Sequence, residues 1–323
     1  MPRIESPSQT TFNLAKLPSR VSTSACGKAI LVGEHAVVYG SQAVALPLKQ
    51  MRLHITIEPR IQEVDESFLS ITMGDKQVSQ RVFEVFQEAC ELLGITGVSA
   101  KITGRSTLPI GAGVGSSASL CVLALRAISE AYTATQDPQR LANLGNILER
   151  RFHGNPSGLD TAVVAFEQPV MFAKGKPILP IQMKPDLEGA FQFALVDSGV
   201  RASTMAMIKI ARSFFMASDG DQKLARFNQD ADLVKQGLER GDAGAITEAM
   251  ESCASLLQQT GIVTPTLTDI IGDCKKLGCP AAKTTGAGGG GVILAQLPPE
   301  DPLRYFKNLK AHFGAERVFH IQI

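Results

Sequence analysis

The chain has 323 residues, 44% of them hydrophobic and 20% charged, which is enough apolar material for one large or two ordinary domains and too much for a disordered chain. Its 32 Lys and Arg stand against 31 Asp and Glu, so no overall field recruits nucleic acid or an anionic membrane, and a small anionic ligand needs a local basic site. The six cysteines show neither a CxxC pair nor zinc-knuckle spacing, and they read as free thiols in a reducing cytosol.

Residues 1–20 carry no apolar core and do not read as a secretory signal. Cys26–Gly33, Met51–Glu58 and Val98–Thr103 are β-branched and partly alternating, and read as strands. Arg81–Leu93 carries apolar residues at helical spacing and stops at Gly94. Ser117–Thr133 is apolar nearly all round, which predicts a buried helix. The apolar stretch Ala118–Ala134 is broken by Arg126 and Glu130, which is wrong for a membrane span. Gln139–Arg151 predicts another helix, with Leu141, Leu144, Ile147 and Leu148 on one face.

His153–Asp160 is rich in breakers and reads as a loop. The proline-spaced stretch Gly175–Pro185 is the best candidate for a boundary, dividing the chain into 1–180 and 181–323. Beyond it come a strand over Phe191–Asp197, four helical segments between Thr204 and Leu277 and a Gly-rich loop. A strand over Val292–Leu297, a helix and a terminal strand close the chain. Strands interspersed with helices predict an α+β protein in two lobes.

Chemistry has three places to reside. The first is Gly111-Ala-Gly-Val-Gly-Ser-Ser117, after a strand and opening a long helix. Its glycines let backbone N–H groups approach an anion, and the helix start adds unpaired donors and a positive dipole end. Ser116 and Ser117 can cap the helix or place a hydroxyl on a phosphate or its metal. The run fits neither the Walker A pattern nor the dinucleotide fingerprint, which needs Gly where Ser116 stands. A Gly-rich turn with a capping serine is the plainer alternative.

The second place is Lys283-Thr-Thr-Gly-Ala-Gly-Gly-Gly-Gly291, which satisfies GxGxxG but precedes a strand where a dinucleotide site needs a helix. It is either a ligand-approaching loop or a flexible hairpin tip. The third is Cys26–Gly40, an apolar strand with Lys28 at its start and Glu34-His35 at its end. There a solvated edge lysine and a satisfied core histidine compete with site roles. Two Gly-rich loops, a lysine and a loop carboxylate together suit phosphoryl transfer, where positioning and charge neutralisation supply most of the catalysis.

Taken in order, the three segments resemble the signature motifs of the GHMP kinases. Gly33-Glu-His-Ala-Val-Val-Tyr-Gly40 is similar to the mevalonate kinase branch in particular. Leu108–Ser117 resembles the second motif and Thr285–Gly291 the third. The resemblance implies an α+β, two-lobed fold with ATP and a small alcohol, mevalonate, in the cleft between an N-terminal and a C-terminal α/β lobe. It places a carboxylate base at Asp160, an active-site lysine at Lys28 and Mg²⁺ ligands at Glu149 and Ser117 (or Ser116). It assigns the phosphates to Gly111, Ala112, Gly113, Val114, Gly115, Ser116 and Ser117. Glu34, His35, Thr204, Gly288 and Gly289 fall at the substrate. The chain reads as cytoplasmic by default, without nucleic-acid or membrane partners, and a homodimer is the assembly considered. Cys26 stands where the first motif usually has Pro, and Ile110 and Val114 replace commoner residues of the second. All three are apolar and none removes a proposed catalytic group.

Overall fold

In a computed structural model of the chain, residues 19–60, 68–109, 111–132 and 137–323 are described. Expectations for residues 1–18, Ile110, Thr133 and Ala134 lie outside that set. The first sheet has seven strands: β1 (Val21–Val32), β2 (Ala43–Pro59), β3 (Phe68–Met73), β4 (Lys76–Gln77), β5 (Ser99–Ser106), β6 (Val170–Phe172) and β7 (Leu179–Pro180). Its order is β4-β3-β5-β2-β6-β7, with β1 also paired to β2. Every ladder is antiparallel except β3 with β5.

β2 is long enough to serve three partners. Its C-terminal half pairs with β5 from Leu53 to Pro59, its N-terminal half with β6 from Ala43 to Ala45, and β1 runs along both halves. The β1–β2 register shifts between Cys26 and Gly27, a bulge that re-aims the strand just before Lys28. Lys28 is therefore interior to a twelve-residue strand and 3% exposed, not an edge residue at a strand mouth.

Four helices belong to this part: α1 (Gln80–Leu93), α2 (Ser116–Tyr132), α3 (Pro138–His153) and α4 (Leu159–Phe166). α1 ends at Gly94 in the left-handed region, as its glycine stop predicts. Asp137 caps α3 by accepting from the N–H groups of Gln139 and Arg140, with Pro138 in the first turn. α2 packs against β1, β2, α1, α3 and α4, which explains an apolar surface nearly all round. The breaker-rich segment gives way to helix at Leu159, so Asp160 lies in the first turn of α4 and Gly158 is the cap.

The second sheet has four antiparallel strands in the order β11-β8-β10-β9: β8 (Gln192–Asp197), β9 (Ala282–Thr285), β10 (Val292–Gln296) and β11 (Val318–Gln322). Between β8 and β9 run α5 (Thr204–Phe215), α6 (Gly220–Arg240), α7 (Ala243–Gln259) and α8 (Pro265–Lys276), and α9 (Pro302–Phe313) precedes β11. The four-helix run matches the sequence reading. Strand β9 does not: Lys283 was grouped with the glycines that follow, yet it is a buried strand residue.

One apolar core runs through both sheets, from Leu46, Ile55 and Leu125 to Phe193, Phe227 and Ile321. α6 and α7 reach β1, and β9 touches β1 directly. Among the described residues no helix is long and apolar enough to cross a membrane. All six cysteines are free and buried.

Glu167, just beyond α4, joins three elements. Arg52 on β2 and Arg126 on α2 donate to its carboxylate at 2.7–3.0 Å. Burial alone raises the Glu167 carboxyl pKa, but the two arginines more than offset this and hold it below the ordinary value. The stabilisation is therefore present above the unfolded-state carboxyl pKa of about 4.3 and is lost as pH falls through the lowered folded value. Glu167→Gln should cost about 1–3 kcal/mol at neutral pH and flatten the acid limb of a stability-versus-pH curve, as read from urea unfolding at several pH values.

Candidate active site

The three Gly-rich or lysine-bearing segments, far apart in sequence, meet at one place. The Lys28 backbone N–H donates to the Val114 carbonyl at 2.9 Å, fastening β1 to the loop before α2. The Ile30 N–H donates to Thr285 Oγ1 at 2.8 Å, across 255 residues of chain. His35 Nε2 donates to the Ala287 carbonyl at 2.8 Å. These bonds knit the end of β1, the loop before α2 and the loop after β9 into one surface.

Glycine is required where these loops touch. Gly115 has φ of +78°, and a Cβ there would sit 2.7 Å from Lys28 Cγ. Gly291, at φ +80°, would bring a Cβ to 3.0 Å from the Ala112 carbonyl oxygen. Gly111 and Gly113 remain exposed while Ala112, Val114 and Gly115 are buried, so the loop presents backbone to solvent at the N-terminus of α2. That helix begins at Ser116.

Lys28 Nζ lies 3.1 Å from Asp160 Oδ2 and donates to the Gly113 carbonyl at 3.1 Å. One ammonium thus bridges a helix-borne carboxylate and the Gly-rich loop. The Asp160 side chain keeps 28% of its surface accessible, against 4% for Lys28. Charge density is fixed at the lysine while the carboxylate stays reachable.

Glu149, on the last turns of α3, is 2% exposed, although Arg150 and Arg151 beside it face solvent. It accepts from Ser117 Oγ at 2.9 Å, and that oxygen also lies 3.1 Å from His153 Nε2. Burial, and then the like charge of Asp160, push the Glu149 carboxyl up to about 8. Two carboxylates and a hydroxyl therefore converge where one lysine supplies the positive charge.

The remaining expected residues gather around the loop after β9. His35 adopts φ of +59°, uncommon for a residue with a side chain, and is 8% exposed, with burial lowering its imidazole pKa. Gly288 and Gly289 are buried, and the Gly289 N–H donates to the Ile262 carbonyl at 2.8 Å. A Cβ at Gly289 would lie 2.5 Å from Met207 Sδ and 2.8 Å from Ala202 Cβ. Thr204, between those residues and first in α5, is exposed. Glu34 is fully buried and forms an ion pair with Lys283, itself fully buried. Cys253 Sγ donates to the other Glu34 oxygen at 3.5 Å.

Lys283, Thr285 and His153 were not singled out as site residues by the sequence reading. A lysine three residues before a glycine run, within Ala282–Thr285, was the available signal for a buried strand cation. His153 sits four residues after Glu149, one helical turn on.

Comparison with known proteins follows this geometry. Residues 78–168 match the family described as GHMP kinases N terminal domain, and residues 234–313 that described as GHMP kinases C terminal. The chain is 30% identical to the mevalonate kinase of Thermococcus sibiricus over 319 residues, covering 86% of this chain and 90% of that protein. It is 28% identical to the mevalonate kinase of Archaeoglobus fulgidus over 282 residues, covering 86% and 93%. The crystal structure of L. major mevalonate kinase in complex with R-mevalonate superposes with a TM-score of 0.79 at 20% identity, over 95% of this chain and 98% of that one.

The Glu34–Lys283 pair makes a direct prediction. Removing one partner of a buried ion pair strands the other's charge, so Lys283→Met should cost about 3–5 kcal/mol. Combining it with Glu34→Gln should recover part of that loss, as measured by urea unfolding of both variants.

Proposed function

The chain belongs to the mevalonate kinase family of the GHMP kinases, and from that footing we propose that it transfers the γ-phosphoryl group of ATP to the C5 hydroxyl of (R)-mevalonate. The observation that carries the proposal is the Lys28 ammonium, held between Asp160 and the Gly113 carbonyl of the Gly-rich loop. It sets the reacting carboxylate and the phosphate loop at one spacing. Residues 1–180 supply these groups, and residues 181–323 contribute the Gly-rich loop after β9 and Thr204.

Asp160 accepts the C5 hydroxyl proton as that oxygen attacks the γ-phosphorus. The bond from the γ-phosphorus to the bridging oxygen breaks and ADP leaves with the electron pair. Lys28 faces the Asp160 carboxylate at 3.1 Å and meets the charge that develops on the transferring group. Backbone N–H groups of Gly111–Ser117, at the positive end of α2, hold the triphosphate. His35, Thr204, Gly288 and Gly289 shape the alcohol site, and Glu34, paired with Lys283, supports it from beneath.

Glu149 and Ser117 suit Mg²⁺. A carboxylate raised by burial and then by its like-charged neighbour gains from a divalent cation, and the adjacent hydroxyl oxygen is a second hard donor. Among the described residues no group of three or more His, Cys, Asp or Glu forms a metal cage. Mg²⁺ does not need one, since phosphates and waters complete its shell. When bound, the ion neutralises phosphate charge.

ADP release from MgATP should depend on mevalonate, with phosphomevalonate, homoserine and galactose giving background rates. Asp160→Asn should lower kcat by about 10²–10⁴-fold while ATP affinity, read by calorimetry, stays nearly unchanged. Equal turnover in the variant would remove Asp160 as the base. Turnover with another alcohol alone would redirect the substrate.

A further inference from the structure

Two cavities lie apart from the Lys28–Asp160 centre, and their charges differ. The larger, about 490 Å³, contains Arg52 and Arg126. Both of those cations already bind Glu167. The second, about 320 Å³, lies between α3, the segment Asn155–Gly158 and the turn after β6. Arg150, Lys174 and Lys176 line it with no carboxylate among the lining residues. None of the three is joined to an acidic side chain in the ion pairs of the described residues.

The interior of this cavity is built for more than a bare anion. Asn146 lines it, and its Oδ1 is buried without a hydrogen-bond partner. An orphaned acceptor carries a desolvation cost that a ligand's O–H or N–H removes. Phe172 and Ile178 add an apolar wall. The volume equals about ten water molecules at roughly 30 Å³ each, room for a ligand of a few carbons and one phosphoryl group. Three cations, one unfilled acceptor and an apolar wall select an anion that also carries a donor.

We propose that this cavity is a binding site for a small organic monophosphate bearing a free hydroxyl group, separate from the cleft that holds the nucleotide. The phosphoryl oxygens lie toward Arg150, Lys174 and Lys176, and a small turn of the Asn146 amide, whose Oδ1 is closed off from solvent in this structure, brings that acceptor to the hydroxyl. The same cavity is lined by Ser157 and Gly158, which lead into Asp160. A Cβ at Gly158 would be 3.3 Å from Phe172 Cζ and 3.5 Å from Asn146 Nδ2, so cavity and segment are in packing contact.

The test is calorimetric titration of the full chain with glycerol 3-phosphate, the nucleotide cleft being saturated with a non-hydrolysable ATP analogue. Saturable binding is expected. It should weaken at least tenfold in Lys174→Gln/Lys176→Gln, two exposed positions outside the catalytic groups, whose thermal midpoint checks folding. Sulfate, which has no hydroxyl donor at neutral pH, should bind more weakly than glycerol 3-phosphate. No binding with the cleft occupied, equal binding to the double variant, or sulfate binding as tightly would each overturn the proposal. Because the readout involves no turnover, these outcomes are independent of the kinase assignment.

Discussion

Lys28 is an ammonium held almost out of water, 3% exposed, on a strand flanked by apolar residues. A charge so placed must be met by fixed partners, because an unpaired buried charge is costly. Asp160 and the Gly113 carbonyl meet it at 3.1 Å each. Those contacts constrain everything near them: the β-bulge that turns β1, the glycine at 115 that leaves room for the lysine stem, and the cap at Gly158 that lets α4 start at Leu159. Enlarging Gly115 or delaying the start of α4 would break the same arrangement from opposite sides.

A second buried pair does a related job across the two sheets. Glu34 and Lys283 are both fully buried, one at the end of β1 and the other on β9. Such pairs are seldom net stabilising, because desolvation consumes most of the attraction. Their value lies in specificity, since only one docking of β9 against β1 leaves neither charge alone. Thr285, two residues on, adds a directional bond to Ile30 in the same docking. His35 and Gly288, proposed to shape the alcohol site, thus rest on a polar-keyed seam.

The sequence was most legible where local chemistry dominates. Gly94 stopped α1, the apolar face of Leu141, Leu144 and Leu148 marked α3, and the all-round apolar pattern of α2 predicted its central burial. The Gly-rich loop before α2 and the carboxylate at 160 could be read from residue types alone, and family resemblance then named their roles. Short strands were not legible: β4, β6 and β7 hold two or three residues each, too few for any period to register. Neither was the state of buried charges. By residue type alone Lys28 could be an edge lysine or a site lysine and Lys283 part of a Gly-rich loop, because an isolated strand gives no sign of the carboxylate that will meet it, for Lys283 across 249 residues. The early helical start of α4 was hidden by Asn155-Pro-Ser-Gly, whose breakers describe the segment before the cap and say nothing of the residues after it.

The bond from Ile30 N–H to Thr285 Oγ1 has a consequence for biosynthesis. A ribosome releases β1, the loop before α2 and Asp160 long before it makes β9, so the first sheet and its helices meet their own core early. The seam that holds Glu34 cannot close until Lys283 has emerged, late in translation. Until then, Glu34 is a carboxylate at the end of an apolar strand with its partner still unmade, and water must keep it company. Closing a loop of that span also costs chain entropy before any contact repays it. A truncated or stalled chain would therefore contain Lys28, Asp160 and the Gly-rich loop before α2 and still lack the loop after β9 that His35 bonds.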